Sequence, residues 1–138
     1  MSPEGYGEAD ATFQAAGGEA GIRQLVDTFY DHMDADQAFA TIRAMHPEDL
    51  TVSRDKLARF LCGWMGGPRR YNEKYGSITI PGAHAHLKVT KIERDQWLGC
   101  MQAALAEQDY PTSLVTYLLK QLFVPADRIR EVCSHTAS

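Results

Sequence analysis

The chain has 138 residues, 44% of them hydrophobic and 23% charged, with a net charge of −4, which is the balance of one soluble globular domain able to bury a single core. No cationic run exceeds the pair Arg69-Arg70, so no phosphate-tracking surface exists and no nucleic acid is expected as a partner. No apolar stretch approaches the roughly 20 residues of a membrane span, and Met1-Ser-Pro-Glu opens no basic-then-apolar leader, so no membrane partner and a cytoplasmic location are expected.

One domain over 1–138 is expected, with residues 1–10 as a loose N-terminal extension and 134–138, including His135, as a flexible tail. Gly17-Gly18 lets a short first helix turn sharply into a second. From there Ile22, Leu25, Val26, Phe29, Tyr30 and Met33 recur at the 3.6-residue interval of an amphipathic helix. A short segment around Phe39, Ile42 and Met45 closes at His46-Pro47. A further stripe, Val52, Leu57, Phe60, Leu61 and Trp64, stops at Gly66-Gly67-Pro68. Residues 66–83 hold four glycines and two prolines and are read as a long irregular loop, a rarity in a compact domain that usually has a functional reason.

Thr90-x-x-Glu93 is a capping-box pattern opening a helix through Trp97, Leu98, Met101 and Leu105. Pro111 suits the first turn of a last helix with Leu114, Leu118 and Leu122 on one face. Pro125 is expected to kink or break that helix before a final turn near Cys133. Val89 and Ile78-Thr79-Ile80 are too short to build a sheet, so the domain reads as all-α. The cysteines Cys62, Cys100 and Cys133 are odd in number and scattered, suiting neither a disulfide framework nor a zinc site.

The far end of the glycine-rich loop delivers His84-Ala85-His86. In a helix, residues two apart diverge and cannot share a metal; in an extended segment they point the same way. No nearby carboxylate or cysteine completes a mononuclear site, and a lone histidine between helices is ordinarily a surface or hydrogen-bonded core residue. Haem alters this, because one neutral imidazole suffices as its protein ligand. Phe29, Tyr30, Leu57, Phe60, Trp97 and Met101 could wall the flat apolar slot that haem needs. Tyr30 and Trp97 each keep one donor, a phenol O–H and an indole N–H. The chain lacks C-x-x-C-H, so any haem would be held by packing and iron ligation alone.

From Phe13 to Val124 the chain resembles the group II truncated haemoglobins. The resemblance is carried by Phe29-Tyr30, the His46-Pro47-Glu48-Asp49 corner, Leu57 with Phe60, Gly66-Gly67-Pro68-Arg69 with Tyr71, His84, and the run from Glu93 to Met101. It implies a truncated globin with two antiparallel helix pairs, 2-over-2, around haem b (iron protoporphyrin IX). By position His84 is similar to the proximal iron ligand, with His86 an alternative. Tyr30 and Trp97 are similar to donors facing a diatomic ligand, and Leu57 and Phe60 to apolar walls. Ser53 stands where other globins often keep a distal histidine or glutamine. Phe29, Met65, Leu87 and Met101 are further haem-contact candidates, and Arg69, Tyr71 and Lys88 are candidate propionate anchors. The chain departs from the family at His46, usually Tyr or Phe, at His86, commonly Pro, and at Trp64-Met65, usually two aromatics.

The function implied is binding of oxygen, nitric oxide or carbon monoxide. The iron is pentacoordinate or gated by His46 as a sixth ligand. Donors aimed at a ligand that takes on partial negative charge slow its release, each by about one to two decades in affinity. A cage of Tyr30, Trp97 and His46 therefore favours redox, nitric oxide or peroxide-related chemistry or sensing over bulk oxygen transport. Dioxygenase or peroxidase turnover would need a reductase of unknown identity. The alternatives are a bis-histidyl electron-transfer or redox-sensing protein, which needs His46 on the iron, and a cofactor-free helical interaction module. The chain is expected to be a monomer or homodimer.

Overall fold

All six apolar positions of the first long stripe, Ile22, Leu25, Val26, Phe29, Tyr30 and Met33, are buried along one face of a single helix. The computed structural model describes residues 5–76 and 89–137, with side chains as far as Glu131. In chain order the elements are α1 (Ala11–Ala15), α2 (Gly18–Ala35), a 3₁₀ turn (Gln37–Phe39), α3 (Ala40–Ala44), α4 (Thr51–Trp64), α5 (Arg70–Tyr75), α6 (Lys91–Ala106) and α7 (Thr112–Ala137). No strand occurs among the described residues, and no described helix is long and apolar enough to cross a membrane.

Two helix pairs make the body. α2 packs on α4, α6 packs on α7, and α2 also lies against α6. Each pair is antiparallel. Asp31, late in α2, meets Arg54 early in α4, while Glu19 at the start of α2 meets Arg70 beyond the end of α4. Arg94 at the start of α6 likewise meets Asp127 far along α7. The core between them is apolar, centred on Phe29, Leu61, Met101, Leu105, Leu114 and Leu118.

Local chemistry sets the element ends. Gly17, at φ +95°, occupies the left-handed region from which α2 starts. The Thr90 capping box is formed: the Thr90 N–H donates to Glu93 Oε1 at 2.7 Å, and the Thr90 hydroxyl accepts from the Ile92 N–H at 3.2 Å. The Pro111 carbonyl accepts from the Leu114 N–H at 3.0 Å, so Pro111 sits at the entrance of α7.

Four expectations differ from the structure. Val52 is exposed, because the buried face of α4 is Ala58, Leu61 and Cys62. The supposed loop after Gly67 contains α5, pinned by hydrogen bonds from Lys74 and Tyr75 to Asp55 of α4. Pro125 lies inside α7, which continues to Ala137 without the break and separate final turn expected there. The helix beyond the proline is tied by the Arg94–Asp127–Arg130 ion pairs, a tertiary restraint that offsets the lost backbone bond. Finally, residues 5–10 are fastened rather than loose. Tyr6 is buried with its hydroxyl 3.1 Å from that of Ser113, and the Gly7 N–H donates to Thr12 Oγ1 at 2.8 Å.

Candidate functional site

α2 places Phe29 and Tyr30 side by side with opposite duties. Phe29 is fully enclosed in the core, its ring 5.0 Å from Tyr30 in an edge-on arrangement and 5.3 Å from Trp97 of α6. Tyr30 is 5% exposed. Its ring stands edge-on to the His46 ring at 5.8 Å, just after α3. Tyr30 and His46 are thus in direct ring contact, and Trp97 joins them through Phe29, which touches both Tyr30 and Trp97.

Among the described residues no hydrogen bond engages the Tyr30 hydroxyl or the Trp97 indole N–H. Among the described residues no side-chain polar atom sealed from solvent lacks a partner, so the Tyr30 hydroxyl, which has none there, is not sealed although its ring is buried. Burial pushes the phenol well above its ordinary pKa, with the Arg54 charge opposing more weakly. The group therefore stays protonated at neutral pH and keeps an O–H to donate. His46 Nδ1 lies 2.8 Å from the Ile42 carbonyl. A carbonyl only accepts, so Nδ1 carries the proton in the neutral ring and Nε2 is the lone-pair nitrogen.

The walls follow from α4 and α6. Leu57, Phe60, Trp64, Trp97 and Leu98 pack against the core yet are only partly buried. Met101 is sealed behind them, so with Phe29 it backs this wall. Met65, also buried, lines a cavity of about 250 Å³ with Gly7, Thr12, Trp64, Tyr117 and Gln121. Ser53 is half-buried in the first turn of α4. Arg69 is exposed and makes no ion pair among the described residues, whereas its neighbour Arg70 is taken up by Glu19 and Glu73. Tyr71 is half-buried, its ring 5.0 Å from that of Tyr75. His84, His86, Leu87 and Lys88 lie outside the described residues.

These residues fit a haem. Large apolar side chains left half-covered on α4 and α6, the two helices that pack on α2, offer hydrophobic contact to a flat ligand. The Tyr30 hydroxyl and the Trp97 indole N–H are neutral donors with no hydrogen bond among the described residues, suited to a ligand that gains negative charge. No group of three or more His, Cys, Asp or Glu among the described residues could hold a metal ion.

Sequence reasoning missed Arg54. Its guanidinium carbon lies 5.8 Å from the Tyr30 ring centroid. It donates to the Asp27 carbonyl at 3.0 Å and the Asp27 carboxylate at 3.2 Å, and to Asp31 at 2.9 Å. The only trace of this in the sequence is that Asp27 and Asp31 are four apart and flank Tyr30 on one helix.

Residues 11–130 match the family model described as bacterial-like globin. The chain is 33% identical over 96 residues to the group 2 truncated hemoglobin YjbI of Bacillus subtilis, a match covering 70% of each protein. Its structure is similar to that of the group II 2-on-2 hemoglobin from the plant pathogen Agrobacterium tumefaciens. There the TM-score is 0.82 at 33% identity, covering 86% of this chain and 92% of the other. It is similar too to the truncated oxygen-avid haemoglobin from Bacillus subtilis, with a TM-score of 0.78 at 29% identity over 86% of this chain and 97% of the other.

Proposed function

The chain belongs to the bacterial-like globins, as a group II truncated haemoglobin that binds oxygen or other ligands at haem, and from that premise we propose that it is a slow-releasing haem protein whose ligand is held by Tyr30. The haem is haem b, held through His84 without a covalent tether. Haem supplies a ferrous iron that takes a diatomic ligand and passes partial negative charge to it. The observation that carries the reading is the Tyr30 hydroxyl: a protonated donor on a buried ring, unpartnered among the described residues and not sealed from solvent. Trp97 offers a second donor from the opposite helix, and Leu57 and Phe60 exclude water from the space between. Arg69 and Tyr71 would receive the propionates.

Slow release favours sensing or redox work over bulk carriage. Conversion of nitric oxide and oxygen to nitrate would be chemistry supplied by a bound haem, and it would require a reductase to return the iron to the ferrous state. The oxygen-avid character of the Bacillus subtilis haemoglobin supports tight retention here. A second reading, His46 as sixth ligand in a bis-histidyl redox protein, is favoured by one observation, the position of the His46 ring at the edge of Tyr30.

Two measurements test the proposal. Ferric and dithionite-reduced spectra of wild type and His84→Ala should show a Soret band that weakens or shifts in the variant; an unaltered spectrum would remove His84 from the iron. Stopped-flow oxygen release from Tyr30→Phe should be faster than wild type by about tenfold or more. Equal rates would sink the role given to Tyr30.

A further inference from the structure

We infer that Arg54 is a positioning residue for Tyr30, setting both the orientation and the donor strength of its hydroxyl. The inference rests on the reading of Tyr30 as ligand donor and adds to it a residue that itself touches no ligand. Tyr30 is held by Phe29 and His46 at its edges, and Arg54 stands over its ring. The guanidinium is in turn fixed to α2 on either side of Tyr30, by Asp27 and by Asp31. The Arg54 side chain is 28% exposed, against 61% for Asp27 and 70% for Asp31. The cation is thus the inner member of the cluster, and its anchors are the outer members.

The geometry has two consequences. A bridge from α4 to two points one turn apart on α2 resists rotation of α2 about its own axis, and such a rotation would swing the hydroxyl away from the ligand. A cation facing an aromatic ring also draws on its π electrons. Electron density withdrawn from a phenol strengthens its O–H as a donor. Both effects act in one direction, toward a tighter hydrogen bond to a partly negative ligand. A lysine could supply the charge but not the fork that spans Asp27 and Asp31.

The test uses the haem-loaded full chain and a double-mutant cycle of Arg54→Met with Tyr30→Phe. Oxygen release is read by stopped flow, and the C–O stretch of the carbon monoxide complex by infrared. Arg54→Met should speed oxygen release by about fivefold and raise the C–O stretch, since a weaker donor leaves less charge on the ligand oxygen. Arg54→Lys should recover part of both changes. In the Tyr30→Phe background, removing Arg54 should change neither. An Arg54→Met effect of equal size with and without Tyr30, or no effect with Tyr30 present, would overturn the inference while leaving Tyr30 as the donor. A Tyr30→Phe variant that matches wild type would remove the donor reading itself. Asp27→Asn with Asp31→Asn, both at exposed positions, provides a second route. It should shift both signals the same way by a smaller amount, and unchanged signals would count against the bridge.

Discussion

The Cys100 thiol donates to the Phe29 carbonyl at 3.1 Å, joining α6 to α2 directly behind Tyr30. Cys100 is fully enclosed, and burial, helped by the negative charge of Asp36, pushes its pKa up to about 12. Burial also raises that of Cys62. Because the thiolate is the nucleophile, only about one Cys100 in ten thousand is reactive at pH 8. We expect iodoacetamide to leave both residues unmodified in the native protein and to modify both in urea, as read by peptide mass mapping. Rapid native labelling of Cys100 would mean that the α2–α6 contact opens readily.

Asp55 is the polar junction of the other face. It accepts from Arg23 at 2.9 Å, Arg59 at 3.0 Å, Lys74 at 2.9 Å and Tyr75 at 2.7 Å. Burial alone would raise its carboxyl, but these hydrogen bonds prevail and hold it well below the usual carboxylate range. A depressed folded-state pKa gives stability that is complete above the unfolded value near 3.9 and is lost as pH falls through the folded one. Asp55→Asn should therefore cost about 1–3 kcal/mol in urea unfolding at pH 7. The gap to wild type should close as the pH drops below about 4. A constant gap down to pH 2 would show that the charge does not contribute.

Gly66 explains the Gly-Gly-Pro stop in physical terms. Its φ is +94°, and a Cβ built there would lie 2.0 Å from the Ala9 carbonyl oxygen. At Gly67 a Cβ would fall 2.4 Å from the Phe13 ring. The motif lets the N-terminal segment lie flat on the end of α4. Gly66→Ala combines left-handed strain with a backbone clash and should cost about 2–4 kcal/mol. Urea denaturation followed by far-ultraviolet circular dichroism checks this; a loss below about 0.5 kcal/mol would mean the segment is free to move.

Where physics is local, the sequence was a reliable guide. The α2 stripe follows from 3.6-residue periodicity, the start of α6 from Thr90 and Glu93, and the entrance to α7 from Pro111. The errors were all tertiary. Pro125 disfavours a helix locally, but the ion pairs of Asp127 with Arg94 and Arg130 tie the helix on its far side. α5 was hidden by its glycine-rich surroundings, since its anchor, Asp55, lies 19 residues before Lys74. In the site, Tyr30 and Trp97 were legible because they carry donors within a recognisable motif. Arg54 was not, since an arginine beside a serine on an amphipathic helix looks like a solvated surface residue. Its role emerges only when antiparallel packing lays α4 across Asp27 and Asp31.

His46 supplies the final prediction. Its Nδ1 donates to the Ile42 carbonyl at the end of α3, and its ring edge meets Tyr30. The tautomer so fixed puts the lone pair on Nε2, the nitrogen a metal would take. The anchoring bond opposes ligation, because ligation requires the ring to move as a body from a helix end. We expect the anchor to prevail and His46 to act on Tyr30 by packing. Ferric spectra at neutral pH should then be high-spin in both wild type and His46→Ala. Oxygen release from His46→Ala should quicken by about two- to fivefold as the Tyr30 ring loses its edge contact. A low-spin wild type that turns high-spin in His46→Ala would reverse this and establish the bis-histidyl form.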